Sequence, residues 1–581
     1  MKRCPACKRV ENDDALTFCR ADGTPLVSDL GSASTDAGTV KFGSAPVSSE
    51  VETSVLPQHA TDAGINRPTA PTTVLPANRI SDNTRELIKS KRRKAIAVIA
   101  VVIAAALATS AYFYLSRKNR TAIESVVVLP FANTSGDPNS DYLSDGISEA
   151  LINSLTELQQ LRVIARSTAF RYKGKDVDPQ QVGRELNVQT VLMGRVRQVG
   201  DTLNIQVDLV DATTGAQLWG AEYERKLSDV LSMKQTIARE ITDKLRLKLS
   251  GEEQHRLVRR DTTNSEAYQF YLRGRFYWNK RTAEGLKKAI EQFQHAIEKD
   301  PSYALAHSGL ADAYTTLPGY SATPASEVAE KAKAAAFRAI ELDPNLAEAH
   351  ASLANIRMSF NKDSAGAEKE FQQAIELNPN YPTAHHWYAL LLGNLGRFDE
   401  AKKEILRAQQ LDPLSLIINR TVGNVFFWAR EYDQALEQFK KTLEIDPNFP
   451  PVHEDLAVVY SMKGRYEEAL QEMNRAIALN GRLPHYVAAI ACIHAKSGHK
   501  LEAQEMLNEL LAREKTDYVS SSDIALVYIA LGDKEKAFER LDQAVIHGQN
   551  TYMNLKVGPA WDSLRSDPRF AELSRRAGLP Q

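Results

Sequence analysis

Cysteine is scarce, with 4 residues in a chain of 581, too few for a disulfide-stapled scaffold. An excess of either charge is also missing: 72 basic and 73 acidic side chains leave a formal net charge of −1. No global basic field therefore exists to hold nucleic acid, and no nucleic-acid partner is expected. The chain has no G-x-x-x-x-G-K-S/T phosphate loop, no H-E-x-x-H zinc helix and no G-x-S-x-G elbow. Histidine is missing from 123–250, since His59 precedes that stretch and the other eleven stand at or after His255. This excludes a histidine base for nucleophilic catalysis there. Wholesale disorder is excluded as well, because 43% hydrophobic and 25% charged residues is ordinary globular composition. At roughly 150 residues per domain the length suggests about four domains.

One long apolar run is present. Residues 95–115 read AIAVIAVVIAAALATSAYFYL, without a charge, and as a helix would span roughly 31 Å, matching a hydrocarbon core of about 30 Å. Tyr112, Phe113 and Tyr114 stand at its end, where aromatic rings favour the interface. A signal peptide is a poor alternative for a run preceded by more than ninety residues, and a buried soluble helix would not carry such basic flanks. Arg85, Lys89, Lys91, Arg92, Arg93 and Lys94 precede the run, whereas Arg117, Lys118 and Arg120 follow it. This bias predicts a single-pass inner-membrane protein with a cytoplasmic N-terminus and the remainder extracytoplasmic. The clustered thiols then fall on the reducing side.

Three of the cysteines lie within CPACKRVENDDALTFCRADGTPL. Cys4 and Cys7 form the C-x-x-C spacing that brings two thiolates to one tetrahedral ion; Cys19 opens a second knuckle, FCRADG, in which Asp22 stands where a fourth cysteine would be. Residues 1–27 resemble a small zinc ribbon with a Cys4, Cys7, Cys19, Asp22 ligand set. The resemblance implies structural zinc, and an unmetallated tail or redox thiols remain the alternative. Residues 28–94 are rich in Ser, Thr, Ala, Pro and Gly up to about position 80, then basic, which predicts a flexible tether.

Residues 123–250 alternate strand and helix patterns. The run VVVLPF after Ser125 suits a strand buried on both faces. Helical spacing over 144–158 makes Ser144 the expected N-cap, and LRVIA suggests a second strand. A short helix is expected from Pro179 through Leu186, a tight hairpin at Gly200-Asp201 and a closing helix over 229–249. The segments VVVLPFANTSGDPNSDYLSDGISEAL, VIARSTAFRYKGKDVDPQQVGRELNVQTVLMGRV and LVDATTGAQLWGAEYER resemble a TolB amino-terminal-like domain. The resemblance implies an accessory, partner-binding α/β domain and supplies no catalytic residue.

Beyond residue 260 a period appears. AIEKDP, AIELDP, AIELNP, AQQLDP and TLEIDP end at Pro301, Pro344, Pro379, Pro413 and Pro447, in steps of 43, 35, 34 and 34. This is the signature of tetratricopeptide repeats, pairs of antiparallel helices whose small residues allow close approach. About eight repeats are expected over 262–549, with 550–581 as a capping segment. Helical register places Asn355, His386, Arg420, Asn424, Phe427 and Glu454 on the groove side, where protein or peptide partners would bind. The predicted chain is thus multidomain: a zinc-ribbon-like N-terminus, one transmembrane helix, a TolB-like α/β domain and an α-solenoid of repeats. Its expected function is that of a non-enzymatic membrane scaffold. A transmembrane signalling or transcription-regulatory protein, its ribbon contacting a cytoplasmic partner, is the second reading, and an enzyme with an unrecognised α/β site the third.

Overall fold

A computed structural model of the chain describes residues 2–3, 10–11, 27–28 and 123–577, apart from 138–139, 246, 248, 252, 254–261, 281, 320, 322, 324, 362 and 547–554. Cys4, Cys7, Cys19 and Asp22, the tether beyond Ser28 and the 95–115 run lie outside the described residues. Among the described residues no helix is long and apolar enough to cross a membrane.

The chain divides into two compact units, Met1–Leu107 and Ala108–Gln581. In the first, β1 (Lys2–Arg3) pairs antiparallel with β2 (Val10–Glu11) on one side and β3 (Val27–Ser28) on the other.

The second unit begins with a mixed sheet whose strands lie in the order Arg162–Val163 (β6), Ser125–Val128 (β4), Thr190–Val199 (β7), Thr202–Asp211 (β8) and Gln217–Lys226 (β9), with Ala132–Asn133 (β5) also pairing β7. β4 (Ser125–Val128) runs parallel to β6 (Arg162–Val163) and β7 (Thr190–Val199). β7, β8 (Thr202–Asp211) and β9 (Gln217–Lys226) form an antiparallel meander. Val126, Val127 and Val128 are wholly buried, as an uninterrupted apolar central strand requires. On β8, Leu203, Ile205, Val207 and Leu209 are wholly buried while their neighbours alternate outward. Gly200 turns the β7–β8 hairpin at φ 60°, a conformation open to glycine without a Cβ clash.

The first helix corrects the expected cap. It runs Asp141–Thr156 with Ser140 at the N-cap, and Ser144 lies inside it, buried, its hydroxyl donating to the Asp141 carbonyl. Asp141 in the first turn favours the earlier start, because its charge suits the positive end of the helix dipole. The short helix Pro179–Leu186 is capped by Asp178, which accepts from Gln180 N; the closing helix covers Val230–Lys244.

Eight helical hairpins follow, from Ser265–Trp278 with Ala283–Lys299 to Ser521–Leu531 with Lys534–Ile546. Their period is visible in the packing. Ala367, Ala401, Ala435, Ala469, Ala503 and Ala537, each 34 residues apart, are all wholly buried, as close helix approach demands. The third hairpin's extra residue is absorbed by a π-helical turn, Arg357–Asn361, the usual way a helix takes in one residue without losing register. The second hairpin's longer insertion includes the 3₁₀ turn Leu317–Gly319.

The turns between hairpins hold the α/β domain. Asp412 accepts from Thr168 N (3.0 Å), Thr168 Oγ1 (2.7 Å) and Ser167 Oγ, and burial pushes its carboxyl up. Asn380 Nδ2 donates to the carbonyls of Leu158 and Leu161, both at 3.1 Å, and Arg171 Nη2 donates to Ile445 O at 2.6 Å.

Candidate functional site

A rung of polar residues recurs along the first helices. His307, His350, His385 and His453 each place Nε2 about 3 Å from the carbonyl of the preceding inter-repeat proline: 3.1 Å to Pro301, 2.9 Å to Pro344, 3.0 Å to Pro379 and 3.0 Å to Pro447. In the fifth repeat Asn419 Nδ2 substitutes, donating to Pro413 O at 2.8 Å. The Nδ1 atoms of His350, His385 and His453 meet Glu370, Glu404 and Glu472 on the second helix, at 2.6–2.7 Å. Each of these imidazoles therefore ties the inter-repeat turn to its hairpin. Residue 386, singled out from the sequence, is the neighbour of the ladder position: buried His386 bonds Thr421 Oγ1 through Nε2 at 3.0 Å.

The site with room for a ligand lies further along. A cavity of about 340 Å³ opens between the first helices of repeats five to eight, Leu416–Trp428, Pro450–Met462, Pro484–Lys496 and Ser521–Leu531, and is closed at one side by Gly558–Trp561. Its lining follows the repeat: Val458, Cys492 and Leu526 are 34 residues apart, as are Trp428, Met462, Lys496 and Ala530. Arg430 secures the closing segment, its guanidinium donating to Val557 O at 2.6 Å and to Asp562 Oδ1 at 2.8 Å. Buried Trp561 packs there within a cluster containing Ala525, Phe538 and Leu541.

Two carboxylates face this largely apolar space. Burial, and then the neighbouring Asp455 carboxylate, push Glu454 up to about 8, against the pull of Arg420. Burial alone pushes Asp523 up to about 6. Arg420 is committed elsewhere, with Nε 2.5 Å and Nη2 3.0 Å from the Asp455 carboxylate, and His485 stands 4.0 Å from Glu454. Asp523 forms no ion pair among the described residues. The arrangement can desolvate an apolar side chain and satisfy a cation, because a positive ligand would restore the ionised state that burial opposes. Burial pushes the Cys492 thiol up to about 12, which leaves it a packing group and not a nucleophile at neutral pH.

Of the six groove positions read from the sequence, Phe427 and Glu454 line this cavity. Arg420 sits behind it on Asp455. Asn424 is half-buried one repeat before Val458 in the same row, and Asn355 accepts from Ser359 Oγ at 3.2 Å in the third repeat. Asp523 was missed, although it stands two periods of 34 beyond Asp455 and was therefore countable. Trp561 carried no such signal, since it lies outside the repeats.

Family models match three stretches of the chain: a HilA/YgeH-like transcriptional regulator, second domain, over residues 122–244, and tetratricopeptide repeats over 370–403 and 429–492. The first of these covers the region that the sequence segments led one to expect as a TolB-like domain. The chain is similar to "Putative adenylate cyclase 3" of Rhizobium meliloti (strain 1021), at 39% identity over 186 residues, which is 32% of this chain and 32% of that protein. It therefore spans about a third of the length of the curated relative it matches. Among solved structures it is similar to PilF of Pseudomonas aeruginosa (23% identity, TM-score 0.30, 36% of this chain and 95% of that one). It is also similar to the yeast Tom70 (18% identity, TM-score 0.34, 53% of this chain and 67% of that one). Within the helical part of the chain, 370–403 and 429–492 are thus matched as tetratricopeptide repeats.

Proposed function

We propose that this chain is a non-enzymatic scaffold, anchored by the 95–115 run, whose groove across repeats five to eight takes an apolar peptide segment carrying one lysine or arginine. The observation that carries this reading is the pair of carboxylates, Glu454 and Asp523, which no described lysine or arginine meets in an ion pair, in a cavity walled by Phe427, Trp428, Val458 and Leu526 and bordered by His485 and Lys496. The repeats support a partner-binding role, and the charge of the cavity selects the partner's chemistry.

The test uses the full chain. It remains in carbonate-washed membranes and, after detergent extraction, binds a short acetylated peptide with one lysine between two leucines more tightly than the same peptide with glutamate in the middle. Glu454→Gln with Asp523→Asn weakens the lysine peptide about 10- to 100-fold, the loss of one or two charge-assisted contacts. Both carboxyls must ionise to hold the cation, so affinity rises from pH 6 to pH 9 as Asp523 and then Glu454 lose their protons. Equal affinity for the two peptides, or affinity that is flat with pH, overturns the cation preference. Loss of the chain into the carbonate wash overturns the anchor.

We further propose that Cys4, Cys7, Cys19 and Asp22 hold structural zinc. Both C-x-x-C cysteines fall in the sequence between the paired strands β1 and β2, and Cys19 between β2 and β3. Purified full-length chain would then carry close to one zinc, and the Cys4→Ser variant well under half as much; equal zinc in both rules the site out.

A second reading, a signalling protein, is favoured by the match of 122–244 to a transcriptional regulator's second domain and by the cyclase name of the curated relative. In that case the same groove would serve to receive the signal.

A further inference from the structure

A second cavity, of about 720 Å³, lies at the seam between the α/β domain and the repeats. It belongs to neither the peptide groove nor the ribbon. Arg162 of β6 and exposed Arg184 of the helix Pro179–Leu186 line it from one side, and Arg407 of the fourth repeat's second helix, Phe398–Leu411, from the other. Among the described residues, Glu124 is the one carboxylate in its lining. None of the three arginines forms an ion pair with a described carboxylate. Each inner guanidinium is instead held by a neutral oxygen: Arg162 Nη2 donates to Asn187 O, and Arg407 Nη2 to Asn380 Oδ1 at 2.9 Å.

That tethering is specific. Asn380 is 2% exposed, and its Nδ2 is spent on the carbonyls of Leu158 and Leu161. Its Oδ1 is left to aim Arg407, while the same contacts fix the connection leading into Arg162. A guanidinium offers five N–H donors in a planar fork, so one committed bond leaves most of each fork for a ligand. Burial lowers the pKa of both guanidiniums; the proximity of Arg407 lowers that of Arg162 further, while Glu404 works to raise that of Arg407. Two half-buried like charges, neither within ion-pair distance of a described carboxylate, cost free energy that an anion seated between them would recover. Arginine forks match the planar oxygen pairs of phosphate better than a point charge would, and the cavity exceeds what a bare phosphate fills.

We infer that this seam is a binding site for a phosphate-bearing small molecule, gripped by Arg162 and Arg407 with Arg184 at the rim. Because the two grips come from different domains, occupancy fastens the α/β domain to the fourth repeat. The two cavities share no lining residue, so the two sites stand or fall separately.

Calorimetric titration of the detergent-solubilised full chain with inorganic pyrophosphate tests it, with sulfate at matched ionic strength as the comparison. Saturable pyrophosphate binding is expected, tighter than sulfate, together with a rise in melting temperature. Arg162→Gln and Arg407→Gln each weaken it about 10- to 100-fold. Arg407→Lys, which keeps the charge and can still reach Asn380, weakens it less, and so guards against a mere packing defect. The assignment is overturned by absence of saturable heat up to about 10 mM pyrophosphate, weaker than any useful site. It is equally overturned by sulfate binding as tightly, or by unchanged affinity in an Arg162→Gln, Arg407→Gln chain whose circular dichroism matches the parent.

Discussion

Replacing Glu149 by glutamine lowers the stability of the Ala108–Gln581 unit by about 3–5 kcal/mol, the usual cost of removing one partner from a buried ionic cluster. Glu149 sits on the first α/β helix, 7% exposed at its side chain. Its two oxygens lie 2.8 Å from Arg166 Nε and 2.8 Å from Arg275 Nε, and Asn279 Nδ2 donates to it at 3.1 Å. Arg166 belongs to the α/β domain and Arg275 to the first repeat, so one carboxylate bridges two guanidiniums across a domain boundary, with Asp312 3.9 Å from Arg275. Without it the two guanidiniums face each other in a space that water reaches poorly. Burial works to raise the pKa of Glu149, but Arg275 and Arg166 prevail and hold it below the usual carboxylate range. A lowered folded-state pKa means a contribution present above about pH 4.5 and lost as pH falls through the depressed value. The gap between parent and variant in urea midpoint should accordingly be wide at pH 7 and close on acidification. A loss under about 1 kcal/mol at pH 7 would show that the cluster is not what docks the domain.

Phe439→Ala costs about 3–5 kcal/mol through the cavity it leaves in the fifth hairpin. Phe439 is 1% exposed, and a Cβ placed on Gly423 would stand 2.3 Å from its ring. The ring occupies the space that alanine fills at the equivalent first-helix positions Ala457, Ala491 and Ala525, whose second-helix counterparts are Met473, Leu507 and Leu541. From the fifth hairpin to the eighth, size is therefore traded between the two positions: glycine with phenylalanine in the fifth, alanine with a slimmer side chain in the next three. Gly423→Ala alone should cost about 1–3 kcal/mol by overpacking, and Phe439→Leu alone should leave a void. Together they reproduce a pair the protein already uses, so the double variant should be more stable than the sum of the singles predicts, by at least about 1 kcal/mol. Strict additivity in thermal or urea unfolding would mean the two positions do not share one space.

The period of the repeats was readable because packing imposes it locally. Ala401, Ala435 and Ala469 recur every 34 residues since each hairpin meets only its neighbours. The strands around Val127 and Ile205 were readable for a similar reason, as apolar runs and alternation report burial directly. Sequence spacing put the start of the first helix at Ser144 because both serines suit a cap; the structure starts it after Ser140, with Asp141 in the first turn and the Ser144 hydroxyl spent on the Asp141 carbonyl inside the helix.

What the sequence determined by itself is the order of the parts: hairpins after residue 260 and an α/β region before them. What only the tertiary structure decided is which residues from distant parts share one space. Arg162 meets Arg407, Glu149 meets Arg275, Thr168 meets Asp412 and the Gly558–Trp561 segment closes the groove. Periodicity reports which face of an element is buried, and it carries no information on which distant face will cover it. Those choices rest on shape and charge matching between surfaces that never lie near each other along the chain.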